Sequence, residues 1–231
     1  MRLATWNCCT GPLERKLDAL APLAADVVVV PESPRLPTES ARARWFGDNP
    51  RKGIAILAAP GFDLVPFETG VRLPRYVVPI QVSGPRPFLL LAVWAQNDKA
   101  DRYVRGVVRA VDLCERFIKA QPTVALGDFN SNSIWDHEHP KDRNHTALVE
   151  QLDSLGLVSA YHEYHDERHG SETRPTFFEY RHEHRPYHID FCFVPRTWRN
   201  AFRNVVVGSF ADWSPLSDHM PLVLDFNEAA V

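Results

Sequence analysis

The chain has 231 residues, of which 45% are hydrophobic and 24% are charged, so it can bury a core the size of one domain. This composition excludes a disordered, collagen-like or repeat protein. The formal net charge of −3 excludes a polycation that binds nucleic acid through its overall charge, although a local basic groove stays possible.

The sequence shows no sign of secretion or membrane insertion. Its first residues lack the charged and then apolar pattern of a secretory signal, and no apolar run approaches the ~20 residues that cross a bilayer. The four cysteines form no Cys-x-x-Cys pair and therefore suggest neither a disulfide framework nor a structural zinc site. We expect a soluble, cytoplasmic protein, and nothing in the sequence implies an obligate protein partner.

Nine short runs rich in β-branched and aromatic residues predict strands, each bounded by Pro, Gly, Asn or Asp. The first run alternates apolar and polar residues, whereas the second is a valine run suited to burial on both faces of a sheet. In chain order, the predicted strands are 2–6, 27–30, 53–58, 76–82, 88–95, 123–126, 188–194, 205–207 and 221–226.

Apolar residues that repeat every three or four positions predict three amphipathic helices, at 13–23, 102–119 and 145–155. Pro12 suits the start of the first helix, and Gly156 ends the third. Strands and helices interleave without a linker or a repeat. We therefore expect one α/β domain over residues 1–231, with helices packed outside the sheets.

Nine of the ten histidines lie between residues 137 and 188. A metal-binding tract is one interpretation of this segment, and a set of solvated loops is the commoner one. The segment has no His-Glu-x-x-His pattern of the kind that holds zinc on a helix.

Polar residues recur where the predicted strands end, which is where function concentrates on an α/β scaffold. Taken singly, each has a structural explanation as a turn former, a cap or a solvated loop residue. Taken in chain order, they form five short motifs. These are Trp6-Asn7, Pro31-Glu32, Gly127-Asp128-Phe129-Asn130, His188-Ile189-Asp190-Phe191 and Ser217-Asp218-His219.

The ordered set resembles the successive motifs of the endonuclease/exonuclease/phosphatase superfamily, which includes exonuclease III, deoxyribonuclease I and inositol polyphosphate phosphatases. The resemblance implies a four-layered α/β sandwich, with two mixed β-sheets packed face to face and helices outside. It also implies metal-dependent hydrolysis of a phosphate ester. Such a reaction needs neutralised phosphoryl oxygens, a deprotonated water and a stabilised leaving alkoxide.

For the metal, the resemblance implies that Glu32 holds Mg²⁺ or Mn²⁺, with Asn7 and Asp218 as further ligands directly or through water. Carboxylate and amide oxygens are the ligands that these hard ions prefer.

For catalysis, the resemblance implies that Asp128 orients or deprotonates the attacking water and that Asn130 donates its amide to the phosphate or to the nucleophile. His219 would contact the phosphate or act as general base, with its charge and tautomer set by Asp190. His188 stands at a position that often contacts phosphate. Whether Asp128 or His219 accepts the proton is left open.

The strand at 88–95 departs from the family pattern, because many relatives carry His or Tyr where this chain has Trp94. An indole only donates, so Trp94 could touch a phosphoryl oxygen but could not shuttle a proton; it could equally be a core aromatic. Asn97 is a second candidate phosphate contact. Phe177 and Arg185 belong to an aromatic and cationic segment that could stack on bases, or could simply be a folded loop.

The sequence favours a DNA or RNA nuclease, either an endonuclease or an exonuclease. The first alternative is a phosphatase or phosphodiesterase for a small or lipid ester, and the second is a non-catalytic binding protein on the same fold. Basic residues between 42 and 75, Lys52 among them, could line a groove that follows phosphates or could be solvated charges.

Overall fold

The computed structural model describes residues 1–99 and 101–227, which form fourteen strands and five α-helices. In chain order these elements are β1 (Arg2–Thr5), α1 (Leu13–Leu20), β2 (Val27–Ser33), β3 (Ala43–Asn49), β4 (Lys52–Ala58), β5 (Asp63–Pro66), β6 (Val77–Ser83), β7 (Phe88–Trp94), α2 (Val104–Ala120), β8 (Thr123–Asp128), α3 (His145–Ser154), β9 (Leu157–Ser159), α4 (Ala160–His165), β10 (Phe177–Phe178), β11 (Pro186–Tyr187), β12 (Asp190–Pro195), β13 (Phe202–Val207), α5 (Phe210–Trp213) and β14 (Leu222–Phe226).

Twelve of the strands form two six-stranded sheets. The strand order is β13-β14-β1-β2-β4-β3 in the first sheet and β5-β6-β7-β8-β12-β9 in the second, while β10 and β11 form a separate hairpin. Each large sheet contains one parallel pair, β1 with β2 and β7 with β8, among antiparallel pairs. Both sheets are therefore mixed, as the resemblance implied.

The main core lies between the two sheets, where Leu3 and Ile54 of the first sheet share one apolar cluster with Leu90 and Val124 of the second. Helices α2 and α3 bury the outer face of the second sheet, and α1 packs on the outer face of the first. These layers run helix, sheet, sheet, helix. The predicted four-layered sandwich is confirmed.

All nine predicted strands are present, with ends that shift by a few residues. The sequence interpretation missed β3, β5, β9, β10, β11 and the short helices α4 and α5. The predicted helix 13–23 is broken: α1 ends at Leu20 and a 3₁₀ turn covers Ala21–Leu23. Pro22 explains this end, because proline lacks the N–H that an α-helix interior needs.

The topology brings the polar motifs to one end of the sandwich. Strands β1 and β2 run parallel, so the residues after β1 and at the end of β2 meet. Strand β14 is antiparallel to β1, and β12 is antiparallel to β8, so the starts of β14 and β12 lie at the same end as the ends of β1 and β8. No helix in the described part of the chain is long and apolar enough to cross a membrane.

Candidate active site

A buried ion pair lies at the centre of this end of the sandwich. His219 Nδ1 is 2.8 Å from Asp190 Oδ2, and the two residues are 5% and 0% exposed. Asp128 faces Asp190 across the β8–β12 pairing, and ligand atoms of all three residues lie within 4.8 Å of one another. Because β8 and β12 are neighbouring core strands, the sheet itself fixes the spacing of the two carboxylates.

The charges in this cluster set its protonation. Burial disfavours a charged His219, but the charge and hydrogen bond of Asp190, with the charges of Asp128 and Asp218, raise the pKa of His219 to about 10. Burial is also the largest influence on Asp128 and raises the pKa of its carboxyl to about 7. Asp190 Oδ1 is buried and has no hydrogen-bond partner among the described residues.

Two asparagine side chains hold Asp128 in place. Asn7 Nδ2 donates to Asp128 Oδ2 over 2.9 Å, and Asn130 Nδ2 donates to the same oxygen over 3.0 Å. The backbone N–H of Asn130 donates to Asp128 Oδ1 over 2.9 Å. Asn130 has φ 46°, a left-handed conformation that Asn tolerates, and this turn folds its amide back over Asp128. Three N–H donors therefore orient one buried carboxylate.

Gly127 allows this strand end to approach its neighbour. Its φ is +148°, and a Cβ at this position would collide with the carbonyl oxygen of Val93 on β7. The glycine of the Gly-Asp-Phe-Asn motif is therefore required by close packing of two parallel strands, and it sets the position of Asp128 beside it.

Glu32 lies at an irregularity in β2. The β2–β4 register shifts between Pro31 and Ser33, and Glu32 at that shift has φ 58°. Its carboxylate receives the Asn7 amide over 3.4 Å and the Lys52 ammonium over 3.2 Å. The bulge thus turns a half-buried carboxylate toward Asn7, which links it to Asp128.

The Ser-Asp-His segment is tied to the first motif through buried polar contacts. Ser217 Oγ donates to the backbone oxygen of Asn7 over 2.7 Å and accepts from the backbone N–H of His219 over 3.0 Å. Trp6 Nε1 donates to the backbone oxygen of His219 over 2.9 Å. Asp218 is half-buried, with Ser217 Oγ at 3.4 Å from its Oδ1. These contacts place Asp218 and Asn7 on adjoining segments.

Three predicted site residues make their contacts elsewhere. His188 is 3% exposed, its Nδ1 is 2.8 Å from the backbone oxygen of Arg174, and its ring lies 4.3 Å from that of Tyr161. Arg185 is exposed and pairs with Glu179 over 2.9 Å. Asn97 is exposed and forms an isolated β-bridge with Arg102. Within residues 1–99 and 101–227, none of these contacts joins them to the Asp190–His219 pair.

The two aromatic residues predicted to contact substrate, Phe177 and Trp94, lie in different surroundings. The Phe177 ring lies 4.7 Å from the His219 ring, and the two residues also form a β-bridge. Trp94 is 2% exposed, stacks on Tyr76 with ring centroids 5.0 Å apart, and has Lys52 Nζ 5.0 Å from its ring. Phe177 therefore borders the ion pair, while Trp94 is a core aromatic beneath Lys52.

Sequence reasoning missed two supporting residues. Thr176 is fully buried, and its Oγ1 accepts the backbone N–H groups of Ile189 and Asp190 over 3.0 Å each. Lys52 was grouped with other basic residues, but its contact with Glu32 is specific. Nothing in the sequence signals the Thr176 contact, because it joins segments thirteen and fourteen positions apart through a turn.

The oxygen-rich group fits a hard divalent cation. Glu32, Asn7 and Asp218 offer carboxylate and amide oxygens on adjoining segments, which is the donor chemistry of Mg²⁺ and Mn²⁺. The ammonium of Lys52 already lies against Glu32, which shows that this carboxylate attracts a positive charge. The Asp128, Asp190 and His219 group is a second set of donors close enough to hold an ion, but its imidazole is engaged with Asp190.

Comparison with known proteins confirms the fold. No family model and no curated protein matches the sequence. The structure is similar to a 3'-5' exonuclease, NExo, from Neisseria meningitidis, with 19% identity, a TM-score of 0.71, and coverage of 98% of this chain and 100% of that one. A structure described as the 3' phosphatase NExo from Neisseria bound to product DNA hairpin gives the same identity and TM-score, with 98% and 99% coverage.

An AP endonuclease from Archaeoglobus fulgidus is similar at 15% identity and a TM-score of 0.66, over 98% of this chain and 99% of that one. At these identities the likeness shows the fold alone. The architecture that the resemblance implied is thus confirmed over nearly the whole chain.

Proposed function

We propose that this protein is a divalent-metal-dependent phosphodiester hydrolase that acts on nucleic acid. The observation that carries the proposal is the buried Asp190–His219 pair, with Asp128 held beside it by Asn7 and Asn130. Buried, hydrogen-bonded titratable groups in such a cluster are typical of sites that move protons. Burying these charges costs desolvation free energy, which a role in proton transfer would justify.

His219 acts as a charged donor. Its Nδ1 is held by Asp190, so Nε2 is the nitrogen left to donate to a phosphoryl oxygen. The Phe177 ring lies beside the His219 ring, with centroids 4.7 Å apart and planes tilted by 45°. The pair thus stabilises negative charge that develops on the phosphate.

Asp128 accepts the proton of the attacking water. Asn7 and Asn130 fix its carboxylate through their side-chain amides. The surroundings of the two side chains therefore favour one answer to the question of which residue accepts the proton. His219, paired with a carboxylate, serves as donor, and Asp128, surrounded by amides, serves as base.

Glu32 holds the metal in this proposal, with Asn7 and Asp218 as further ligands and Lys52 displaced toward solvent. The Lys52 side chain is 43% exposed, so it is free to move away from Glu32. A bound Mg²⁺ or Mn²⁺ supplies positive charge to the phosphoryl oxygens and to the leaving alkoxide.

Nucleic acid is the favoured substrate class because the β10–β11 hairpin stands beside His219. Tyr180 in this hairpin is 73% exposed, and Arg181 and Arg185 flank it with exposed cationic side chains. Exposed aromatics stack on bases, and guanidinium groups bind phosphates. Two structural neighbours, an exonuclease and an AP endonuclease, support the same class.

Removal of a 3' phosphate from a nucleic-acid end is the second candidate. One structural neighbour is described as a 3' phosphatase bound to product DNA hairpin. The same ion pair, base and metal ligands serve a monoester as well as a diester, so the substrate panel must contain both.

The test is cleavage of a substrate panel with Mg²⁺, with Mn²⁺ and with chelator. The panel contains supercoiled plasmid, a duplex with an abasic site, a duplex with a 3' phosphate, single-stranded RNA and a chromogenic phosphodiester. Metal-dependent cleavage of a polymer by the wild type and by Asp63→Asn, but not by Asp128→Asn, supports the proposal. Asp63 is an exposed aspartate on β5 and serves as the matched control. Hydrolysis of the small ester alone, or no turnover at all, contradicts it.

A further inference from the structure

A second buried polar cluster lies beside the residues that follow the Asp128–Asn130 turn. It gathers His145 at the start of α3, His162 on α4, His169 and Glu172 in the following loop, and His188 before β12. Three of the imidazoles, His145, His162 and His188, are 1%, 9% and 3% exposed. The expectation of solvated loops is therefore wrong for this part of the histidine-rich segment.

The centre of the cluster has the spacing of a metal site. Ligand atoms of His162, His169 and Glu172 all lie within 4.8 Å of one another. His162 Nε2 is 3.1 Å from Glu172 Oε1, and the Glu172 side chain is only 4% exposed. A second imidazole contact, 3.1 Å long, joins His145 Nε2 to His169 Nδ1. Imidazole and carboxylate together are ligands of Zn²⁺ and related ions.

His188 presents a bare lone pair to this region. Its Nδ1 must donate to the Arg174 carbonyl oxygen, 2.8 Å away, because a carbonyl can only accept. In the neutral ring, Nε2 is then an acceptor, and this buried atom has no partner within the described ranges 1–99 and 101–227. The His188 ring centroid is 6.1 Å from that of His162. An unsatisfied buried acceptor is costly, and a cation would satisfy it.

Three imidazoles of the cluster have their Nδ1 atom in contact with an oxygen, as the second ring nitrogen of a metal-binding histidine usually is. Ser131 Oγ lies 3.0 Å from His145 Nδ1, and Ser159 Oγ lies 2.7 Å from His162 Nδ1. With the Arg174 contact, three imidazoles have Nδ1 beside an oxygen. Such contacts fix the tautomer and ring orientation of histidine ligands. The Nε2 of His188 has no partner among the described residues, whereas those of His162 and His145 contact Glu172 and His169, and a bound ion would replace these two contacts.

We propose that this cluster is a closed transition-metal site, separate from the catalytic centre. It binds one ion of the Zn²⁺ class through His162, His169, Glu172 and His188, with His145 beside them in contact with His169. His169 stacks on His162 with ring centroids 3.5 Å apart, so its ring turns on binding. It is half-buried on a loop, where such a turn is possible. The imidazole-rich set selects against Mg²⁺, the ion of the proposed catalytic site.

The position of the cluster gives the ion a structural role. Ser131 contacts His145, and Asn132 Nδ2 donates to the backbone oxygen of His188 over 2.8 Å. Both residues directly follow the Asp128–Asn130 turn. An ion that ties α3, α4 and the residue before β12 together therefore braces the segment that carries Asp128.

The test is metal retention and Co²⁺ absorption of the full chain, freed of any affinity tag. Wild type, Glu172→Gln, His169→Gln, the surface control His184→Gln and the catalytic variant Asp128→Asn are loaded with Zn²⁺ or Co²⁺ and dialysed against a weak chelator. The wild type, His184→Gln and Asp128→Asn should retain about one ion per chain and show the visible bands of four-coordinate Co²⁺. Glu172→Gln and His169→Gln should bind about 10–100-fold more weakly.

Thermal unfolding supplies a second readout. Saturating Zn²⁺ should raise the Tm of the wild type by about 5 °C or more, and it should leave His169→Gln much less stabilised. His169 is half-buried, so this variant is expected to fold even where Glu172→Gln does not; far-UV circular dichroism checks both.

Two results overturn the inference. In the first, the wild type retains no Zn²⁺ and shows no Co²⁺ bands. In the second, Asp128→Asn loses the ion while Glu172→Gln and His169→Gln keep it, which assigns the ion to the catalytic group. Because the readout is binding and not turnover, failure of the proposed nuclease activity leaves this test intact.

Discussion

Two buried clusters flank the start of β12 and differ in how their charges are balanced. In the catalytic cluster, two carboxylates surround one imidazole, and they raise the pKa of His219 to about 10 against the effect of burial. In the histidine cluster, burial and neighbouring imidazoles lower the pKa of His145 to about 4 and of His169 to about 2. Burial alone does not decide the charge of a histidine; the ratio of carboxylates to imidazoles around it does.

This difference assigns different chemistry to the two regions. A charged imidazole is a hydrogen-bond donor and has no lone pair for a metal, which suits the phosphate contact that we propose for His219. A neutral imidazole has a lone pair on one nitrogen, which suits the transition-metal site that we propose for the histidine cluster. Asp190 belongs to the catalytic cluster, and His188, two residues earlier in the chain, belongs to the histidine cluster.

The largest expected effect is on catalysis. Asp128→Asn removes the base and should lower metal-dependent cleavage by about 10²–10⁴-fold, because general base catalysis contributes that much. Asn preserves the shape of the side chain but sets an NH₂ group against one of the N–H donors around Asp128, so far-UV circular dichroism is used to check the fold of the variant. Initial rates at saturating Mg²⁺ measure the effect, and Asp63→Asn provides the control. A rate within threefold of the wild type would contradict the role given to Asp128.

Asp190→Asn should lower the pKa of His219, as burial lowers the pKa of His145 and His169 in the histidine cluster. Without the Asp190 carboxylate, burial dominates, and we expect the pKa of His219 to fall from about 10 to below its ordinary value of 6.5. NMR titration of the His219 ring measures this change directly. An unchanged pKa would mean that Asp128 and Asp218 alone hold the charge.

Stability should fall with acid because of the histidine cluster. His145 has a folded pKa of about 4 against 6.5 unfolded, so the unfolded chain binds a proton first as the pH drops. The contribution is full above pH 6.5 and is lost as the pH falls through about 4. For this residue it amounts to about 3 kcal/mol. Urea unfolding with chelator from pH 7.5 to 4 measures the slope, and His145→Gln should make that slope shallower.

The smallest expected effect concerns Lys52. Its pair with Glu32 is partly exposed, so Lys52→Gln should change the free energy of unfolding by less than about 1 kcal/mol. The same change removes a cation that competes for Glu32, and Mg²⁺ should then half-saturate activity at a modestly lower concentration. A higher Mg²⁺ requirement would show that Lys52 assists the metal instead of competing with it.

The sequence predicted the central strands and the motifs at their ends, because buried parallel strands read as continuous apolar runs and the polar residues interrupt them. It missed β3, whose Gly47 and Asp48 hide the strand pattern. The family resemblance also implied that His188 contacts phosphate. The Arg174 carbonyl and the Tyr161 ring hold His188 in the other cluster, and such long-range contacts leave no local signal.

The histidine-rich segment shows the same limit. His162, His169 and Glu172 are spaced irregularly in the sequence, so no local motif predicts that they meet. The exposed His182 and His184 of the same segment fit the solvated-loop interpretation. The packing of α4 and the following loop against α3 and β12 is what distinguishes the buried histidines of the cluster from the exposed ones.

The most direct test of the central claim compares Glu32→Gln with the wild type on the preferred polymer across a range of Mg²⁺ concentrations, with Asp63→Asn as control. Glu32 is half-buried and contacts only Asn7 and Lys52 among the described side-chain hydrogen bonds, so the variant should fold normally. We predict that metal-dependent cleavage is lost in Glu32→Gln and retained in Asp63→Asn. Cleavage by Glu32→Gln at the wild-type rate and Mg²⁺ dependence would contradict the assignment of the catalytic metal to this end of the sandwich.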